Sequence, residues 1–248
     1  MRFILHVAAV LACLAAPGMA SAASQNAGNH CPPGAAGRDF DGLLLCVPGG
    51  NERYLLTSDG VDWMAWQGDE PIPRPTKDKP AAGNELELTL ARAWIGETIV
   101  GAADSASGQN GFDQFMKLIA ASIMQNASTP GSDEGFAADV PVDESGILQH
   151  FEFSYLEADL LQGKRADKKA GGPGVILFRP SSGLERPHIL LCGATKTDQS
   201  PVHVCMSMRD MEGHRIGIMV AGTKLARSFR VSEQVGADLE SFVVRSAP

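Results

Sequence analysis

The stretch HILLCGATKTDQSPVHVCMSMRDMEGHRIGIMV, His188 to Val220, decides the fold. Two apolar runs of alternating character flank the turn-forming segment Thr197-Asp198-Gln199-Ser200-Pro201, and folding the chain about its midpoint sets Cys192 opposite Cys205. Directly opposed residues of an antiparallel pair have Cα atoms about 4.5 to 5.5 Å apart, within disulfide reach. The same register places Ile189 opposite Met208, Leu191 opposite Met206 and Gly193 opposite Val204. A second turn, read around Met211-Glu212-Gly213, places Met208 opposite Ile216, Met206 opposite Ile218 and Val204 opposite Val220. One face of this sheet is then almost continuously apolar. The other carries His188, Cys192, His203, Cys205, Ser207, Arg209 and Gly217, because strand side chains alternate between faces. The expectation is that helices cover the first face and a disulfide lies on the second.

Working outward, further strands follow from the same period-two signal. Val175 to Phe178 is an apolar run, and Ile147, Phe151, Phe153 and Tyr155 alternate with His150, Glu152 and Ser154. Upstream, Leu43 to Val47, Tyr54 to Thr57, Val61 to Trp66 and the alternation from Glu85 to Trp94 also read as strands. The second and third of these are joined by Ser58-Asp59-Gly60, a hairpin signal. Structure is expected to begin near Leu43, with the segment before it mobile apart from a tether at Cys31. Helical spacing appears from Gly111 to Asn126, with Phe112, Phe115, Met116, Ile119 and Ile123 on one face and Asn110 as N-cap. It appears again after Ser232, through Val235, Leu239, Phe242 and Val243. Runs of strands with few strand-helix-strand units favour an α+β fold, a mainly antiparallel sheet with helices packed on one face.

The chain has 248 residues, 44% of them hydrophobic, enough for a core. Its formal net charge of -8 argues against a partner held mainly through phosphates, so nucleic acid is not expected. Arg2, the apolar run from Phe3 to about Ala16, Pro17-Gly18 and the small residues Ala20-Ser21-Ala22 read as a secretory signal over residues 1–22. That run is too short to span a bilayer, and no later segment approaches spanning length. The remainder divides into residues 23–80, a β-rich region ending in the proline-rich stretch from Glu70 to Pro80, and residues 81–248, the main α+β domain. The protein is expected to be exported, to a periplasm or the medium.

Four cysteines remain after such a cleavage, Cys31, Cys46, Cys192 and Cys205, an even number in a compartment where disulfides persist. With Cys192 and Cys205 opposed, Cys31 and Cys46 are left for each other. Their spacings are far wider than the paired thiolates of a zinc site, so no metal and no cofactor is expected.

Chemistry is harder to find. Gly-x-Ser-x-Gly, Ser-x-x-Lys, His-Glu-x-x-His and the phosphate-binding glycine loops are all absent from the sequence. His150, Glu152 and Ser154 share a strand face but stand roughly 6.5 to 7 Å apart, too far for a direct proton relay. His150, His188 and His203 could meet on one sheet face as an acid-base set. Lys164, Arg165, Lys168 and Lys169 read as a basic loop that could dock an anionic partner, and Trp63, Trp66 and Trp94 could line a groove. The expected function is non-catalytic binding of a protein or small ligand; the alternative is an exported hydrolase with scattered residues. Convergence of the three histidines in one pocket separates the two.

Overall fold

A computed structural model describes residues 31–49, 54–67, 70–72, 88–95, 104–127, 134–141, 146–167, 174–185, 187–195 and 202–244. In chain order the elements are β1 (Ala36–Phe40), β2 (Leu43–Val47), β3 (Tyr54–Leu56), β4 (Gly60–Gln67), β5 (Glu70–Ile72) and β6 (Leu88–Ile95). Helix α1 (Asp104–Asn126) follows, then β7 (Phe136–Pro141), β8 (Leu148–Glu157), β9 (Leu160–Arg165), β10 (Val175–Phe178) and β11 (Ile189–Thr195). The chain closes with β12 (Val202–Met211), β13 (His214–Gly222) and α2 (Leu225–Phe242). One antiparallel sheet runs in the order β3-β4-β6-β13-β12-β11-β10-β9-β8-β7, with β5 also paired to β4; β1 and β2 form a separate hairpin. The fold is α+β. Strands from both sides of the proline-rich stretch share the sheet, since β4 pairs β6.

The β11–β12 register is the expected one, with Leu191 opposite Met206, Cys192 opposite Cys205 and Gly193 opposite Val204. The β12–β13 register differs from expectation by one residue: Met208 faces Gly217, Met206 faces Met219 and Val204 faces Ala221. Its turn contains only Glu212 and Gly213, at φ 49° and 81°, so Met211 pairs directly with His214. Such two-residue turns with both central φ positive match the twist of the flanking strands. A one-residue slip moves every side chain to the opposite face. Ile216, Ile218 and Val220 therefore join Cys205 and Ser207, and the continuous apolar face read from the sequence does not form.

The helices follow the split. Met116, Ile119, Ala120 and Ile123 of α1 pack with Ala138, Val140, Phe151, Phe153, Leu161, Ile176, Phe178 and Ile189, one face of β7 to β11. Val231, Val235, Leu239 and Phe242 of α2 pack with Val61, Ala91, Ala93, Ile216, Ile218 and Val220, the other face of β4, β6 and β13. Each helix covers one face, but the faces are opposite, because apolar residues occupy even and odd positions in different halves of the sheet. Only the middle is covered twice. There β9 buries Leu160, Leu161 and Gln162 in succession, a segment to which the sequence reading assigns no element. At Gly163 the Phe153 ring occupies the space that a Cβ would need.

Both helices start earlier than expected. The reading starts α1 at Gly111 with Asn110 as N-cap, but the backbone is helical from Asp104, through Gly108 and Gly111. Ser232 is not a start signal: it lies inside α2 with its hydroxyl 3.1 Å from that of Ser207, both buried against the sheet.

Residues expected to precede the structure also fold. Asp41 and Gly42, at φ 55° and 95°, form the β1–β2 turn, the Asp-Gly signal missed between Phe40 and Leu43. Phe40, Leu43, Leu45 and Val47 enter the α2 core, and Val244 N–H donates to Leu44 O at 3.0 Å. The β3–β4 hairpin forms as expected, though for another reason: Gly60 sits in strand against the Ala93 carbonyl, where a side chain would collide.

The disulfides are Cys31–Cys46, Cα atoms 5.5 Å apart, and Cys192–Cys205, 4.0 Å apart. Cys192 and Cys205 are fully buried in a cluster with Leu160, Leu177, Leu190 and Phe229. Closing this short loop contributes about 3 kcal/mol through the unfolded chain. Replacing both by alanine is expected to lower the thermal midpoint by roughly 6 to 12 °C. An unchanged midpoint, by calorimetry, would contradict this.

Candidate functional site

The three candidate histidines occupy one sheet face but do not meet. His150, on β8, is exposed, with Nδ1 2.9 Å from Asp139 Oδ1 at the end of the sheet. His203 lies on β12 opposite Gly222, and burial lowers its pKa. His188, just before β11, is 8% exposed beneath α2. It is bonded to Arg209, six positions from His203 and so about 20 Å further along β12. His150 is three strands away from β11, roughly 14 Å across the sheet. The acid-base set of the alternative reading is not assembled, and Glu152 and Ser154 lie exposed beside His150 in a shallow open depression that Lys164 also lines.

His188 is the one strongly perturbed member. Burial pushes its pKa from 6.5 down to about 3, and the guanidiniums of Arg209 and Arg179 push in the same direction. A guanidinium only donates, so Arg209 gives a hydrogen bond to His188 Nδ1 at 3.1 Å and the neutral ring carries its hydrogen on Nε2. The ring stands edge-on to Phe229 at 4.9 Å, and the Arg179 guanidinium lies 5.3 Å from the same ring. Arg179 pairs with Asp159 at 2.5 Å and with Glu233 at 3.1 Å; Arg209 reaches Glu240 at 3.3 Å. Burial raises the Glu233 pKa against the pull of Arg179. Gly236 matters here because the Arg209 guanidinium occupies the space beside its Cα. This cluster bolts α2 to β9, β10 and β12, and covers His188 with protein. It has the perturbed pKa of a catalytic group without the access that one needs.

The basic candidates separate too. Lys164 and Arg165 end strand β9, where Lys164 is exposed opposite Glu152 and Arg165 is half-buried opposite Phe151. The loop expected at 164–169 therefore begins later, and Lys168 and Lys169 lie outside the described residues, as do residues 1–22 and the proline-rich stretch beyond Ile72. Trp66 is core, whereas Trp94 is half-buried with its indole across Gly217. Among the described residues no group of three histidine, cysteine, aspartate or glutamate side chains could hold a metal.

What sequence reasoning missed is a surface. Strands β12, β13 and β6 bury Ile216, Ile218, Val220, Ala91 and Ala93 beneath α2. On their reverse face Val202, Val204, Met208, Met219, Leu90 and Trp94 are half-buried and Met206 is 41% exposed, with Arg92, paired to Asp59 and Asp62, standing opposite Met219 between Leu90 and Trp94. Helix α1 occupies this reverse face only over β7 to β11, so among the described residues the sheet continues past it uncovered. The signal lay in the sequence as methionines alternating with polar residues, but which face they occupied depended on the β12–β13 register.

Fold and site together define a class: an α+β domain with two disulfides, a mainly antiparallel sheet, and an apolar sheet face in place of an assembled catalytic centre among the described residues. No protein-family model matches the chain, and no curated protein matches it. Among solved structures, an immunity protein of the Stenotrophomonas maltophilia type IV secretion system is similar at 9% identity and a TM-score of 0.38, over 86% of this chain and 94% of its own. Protein Ms6760 from Mycobacterium smegmatis is similar at 7% identity and a TM-score of 0.19, over 64% of this chain and 93% of its own. Likenesses at these scores assign no function.

Proposed function

We propose that the protein is an exported, non-catalytic binding domain whose partner is a protein held against the open sheet face. The observation that carries this is the contrast across β12, β13 and β6: buried aliphatic residues beneath α2, and half-exposed Met206, Met208, Met219, Val204 and Trp94 behind them. Contiguous exposed apolar surface marks interaction sites, and methionine adapts its shape to a partner. Export is supported by two disulfides, which persist in oxidising compartments, and by the leader-like residues 1–22, whose removal leaves a mature domain from residue 23. No helix among the described residues is long and apolar enough to cross a membrane.

The test compares the mature protein with Met206→Lys and Met219→Lys variants as bait against the envelope fraction and medium of its own cell, read by quantitative mass spectrometry. A specific protein retained by the native chain is expected to fall at least tenfold with either variant, while the thermal midpoint stays within a few degrees. Equal retention by all three baits would remove the open face as the site.

A further inference from the structure

The edge strand β7 carries a second inference, independent of the open face. At the other end of the sheet β3 and β5 are three residues each, too short to template another strand, but β7 has six. Ala166 N–H donates to His150 O at 3.0 Å, so the peptide groups of His150 face β9 and those of Gln149, Phe151 and Phe153 face β7. These meet Val140, Ala138 and Phe136 in the register. The N–H and C=O groups of Ala137 and Asp139, both exposed, therefore point outward from the end of the sheet. Pro141 has the same outward phase and no N–H, which limits an added strand to about four or five residues.

The side chains along this edge select its occupant. Asp139 lies on the edge with one carboxylate oxygen 2.9 Å from His150 Nδ1, and Glu152 stands opposite Ala137 on the same face of the sheet, with Lys164 across from it on the inner side, away from the edge. A second copy is disfavoured: pairing β7 with itself about Ala138 brings two Asp139 carboxylates within about 7 to 8 Å on one face, between chains that each carry a net charge of -8. Leu148, 60% exposed, stands opposite Pro141 at the far end. We propose that β7 accepts a short extended segment of a partner protein as an added strand, with alternate lysine or arginine side chains over Asp139 and Glu152 and an apolar residue against Leu148. Backbone hydrogen bonds supply affinity in such strand addition, and alternate side chains supply choice.

The probe is an acetylated, amidated peptide of alternating lysine and valine ending in leucine, titrated onto the mature protein, beside the same peptide N-methylated at alternate residues. Amide exchange at Ala137 and Asp139, followed by NMR, is expected to slow at least tenfold with the first peptide and not with the second. Asp139→Lys is expected to weaken binding at least tenfold. No protection at these amides, protection elsewhere, binding that survives N-methylation, or dimerisation through β7 would each overturn the proposal. None of these outcomes bears on Met206, so the open-face reading fails or stands separately.

Discussion

Phe229→Ala is expected to destabilise the protein by about 3 to 5 kcal/mol, the range for deleting a buried aromatic side chain. Phe229 is fully buried where α2 crosses the middle of the sheet, and it packs with Leu160, Leu177, Leu190 and the Cys192–Cys205 disulfide. Its ring also receives the edge of His188 and the face of Arg179, so truncation removes the apolar surface on which the ionic cluster rests. The site can collapse only a little, because strands bear on it from one side and the helix backbone from the other. A loss of this size is a large fraction of the stability of a typical domain. The thermal midpoint should fall by roughly 6 to 20 °C. Leu118→Ala, on the exposed side of α1 at 60% exposure, should stay within about 0.5 kcal/mol of the native protein. Equal midpoints for the two variants, by denaturant titration or calorimetry, would mean that α2 is not held through Phe229.

Acid should loosen the same junction. In the unfolded chain a histidine at position 188 takes up its proton near pH 6.5, whereas burial and the adjacent Arg209 and Arg179 hold it neutral in the folded protein down to about pH 3. Between these values the unfolded state binds more protons, so stability falls as pH falls, by up to ~1.4 kcal/mol per pH unit. From pH 6.5 to pH 4 this amounts to roughly 3 kcal/mol, fully absent above pH 6.5. The charged groups acting on the ring are Arg209 and Arg179, which are themselves paired with Glu240 and with Asp159 and Glu233. Protonation would add a third cation beside two guanidiniums and cancel the Arg209 hydrogen bond. His188→Asn places an amide oxygen where Nδ1 accepts, with nothing to titrate. Urea midpoints measured from pH 7.5 to pH 4 should fall less steeply for this variant than for the native chain. Parallel curves would assign the acid sensitivity to carboxylates elsewhere.

Much of this junction was legible one residue at a time. His188, Arg209 and the cysteine pair were placed on one sheet face from alternation alone, because the β11–β12 register depends only on a turn midpoint and two opposed cysteines. What could not be read was the cover. Phe229 precedes the point at which the helix was expected to begin, and Arg227 and Arg230 beside it interrupt the apolar spacing. Likewise β9 was hidden, since Gln162 and Gly163 are buried by packing from both sides of the sheet, a circumstance that no local pattern records.

The candidate site shows the same division. The three histidines looked like one set because a shared face was all that alternation could establish; their positions along the strands separate them by distances that no proton relay crosses. The methionines of β12 were visible, but the one-residue difference at Glu212-Gly213 decided what lay beside them and what lay behind.

By itself the sequence determined the α+β class, the cysteine pairing, the individual strands with strong alternation and the β11–β12 register, all of which rest on contacts between residues close along the chain. Tertiary structure alone decided that the helices take opposite faces, that His188 is sealed beneath Phe229, and that, among the described residues, no helix covers the Met206 face of β12, β13 and β6. Those outcomes depend on which of two nearly equivalent registers is chosen and on which helix arrives above it. Burial is the sum of many distant contacts, and a chain read residue by residue does not carry that sum.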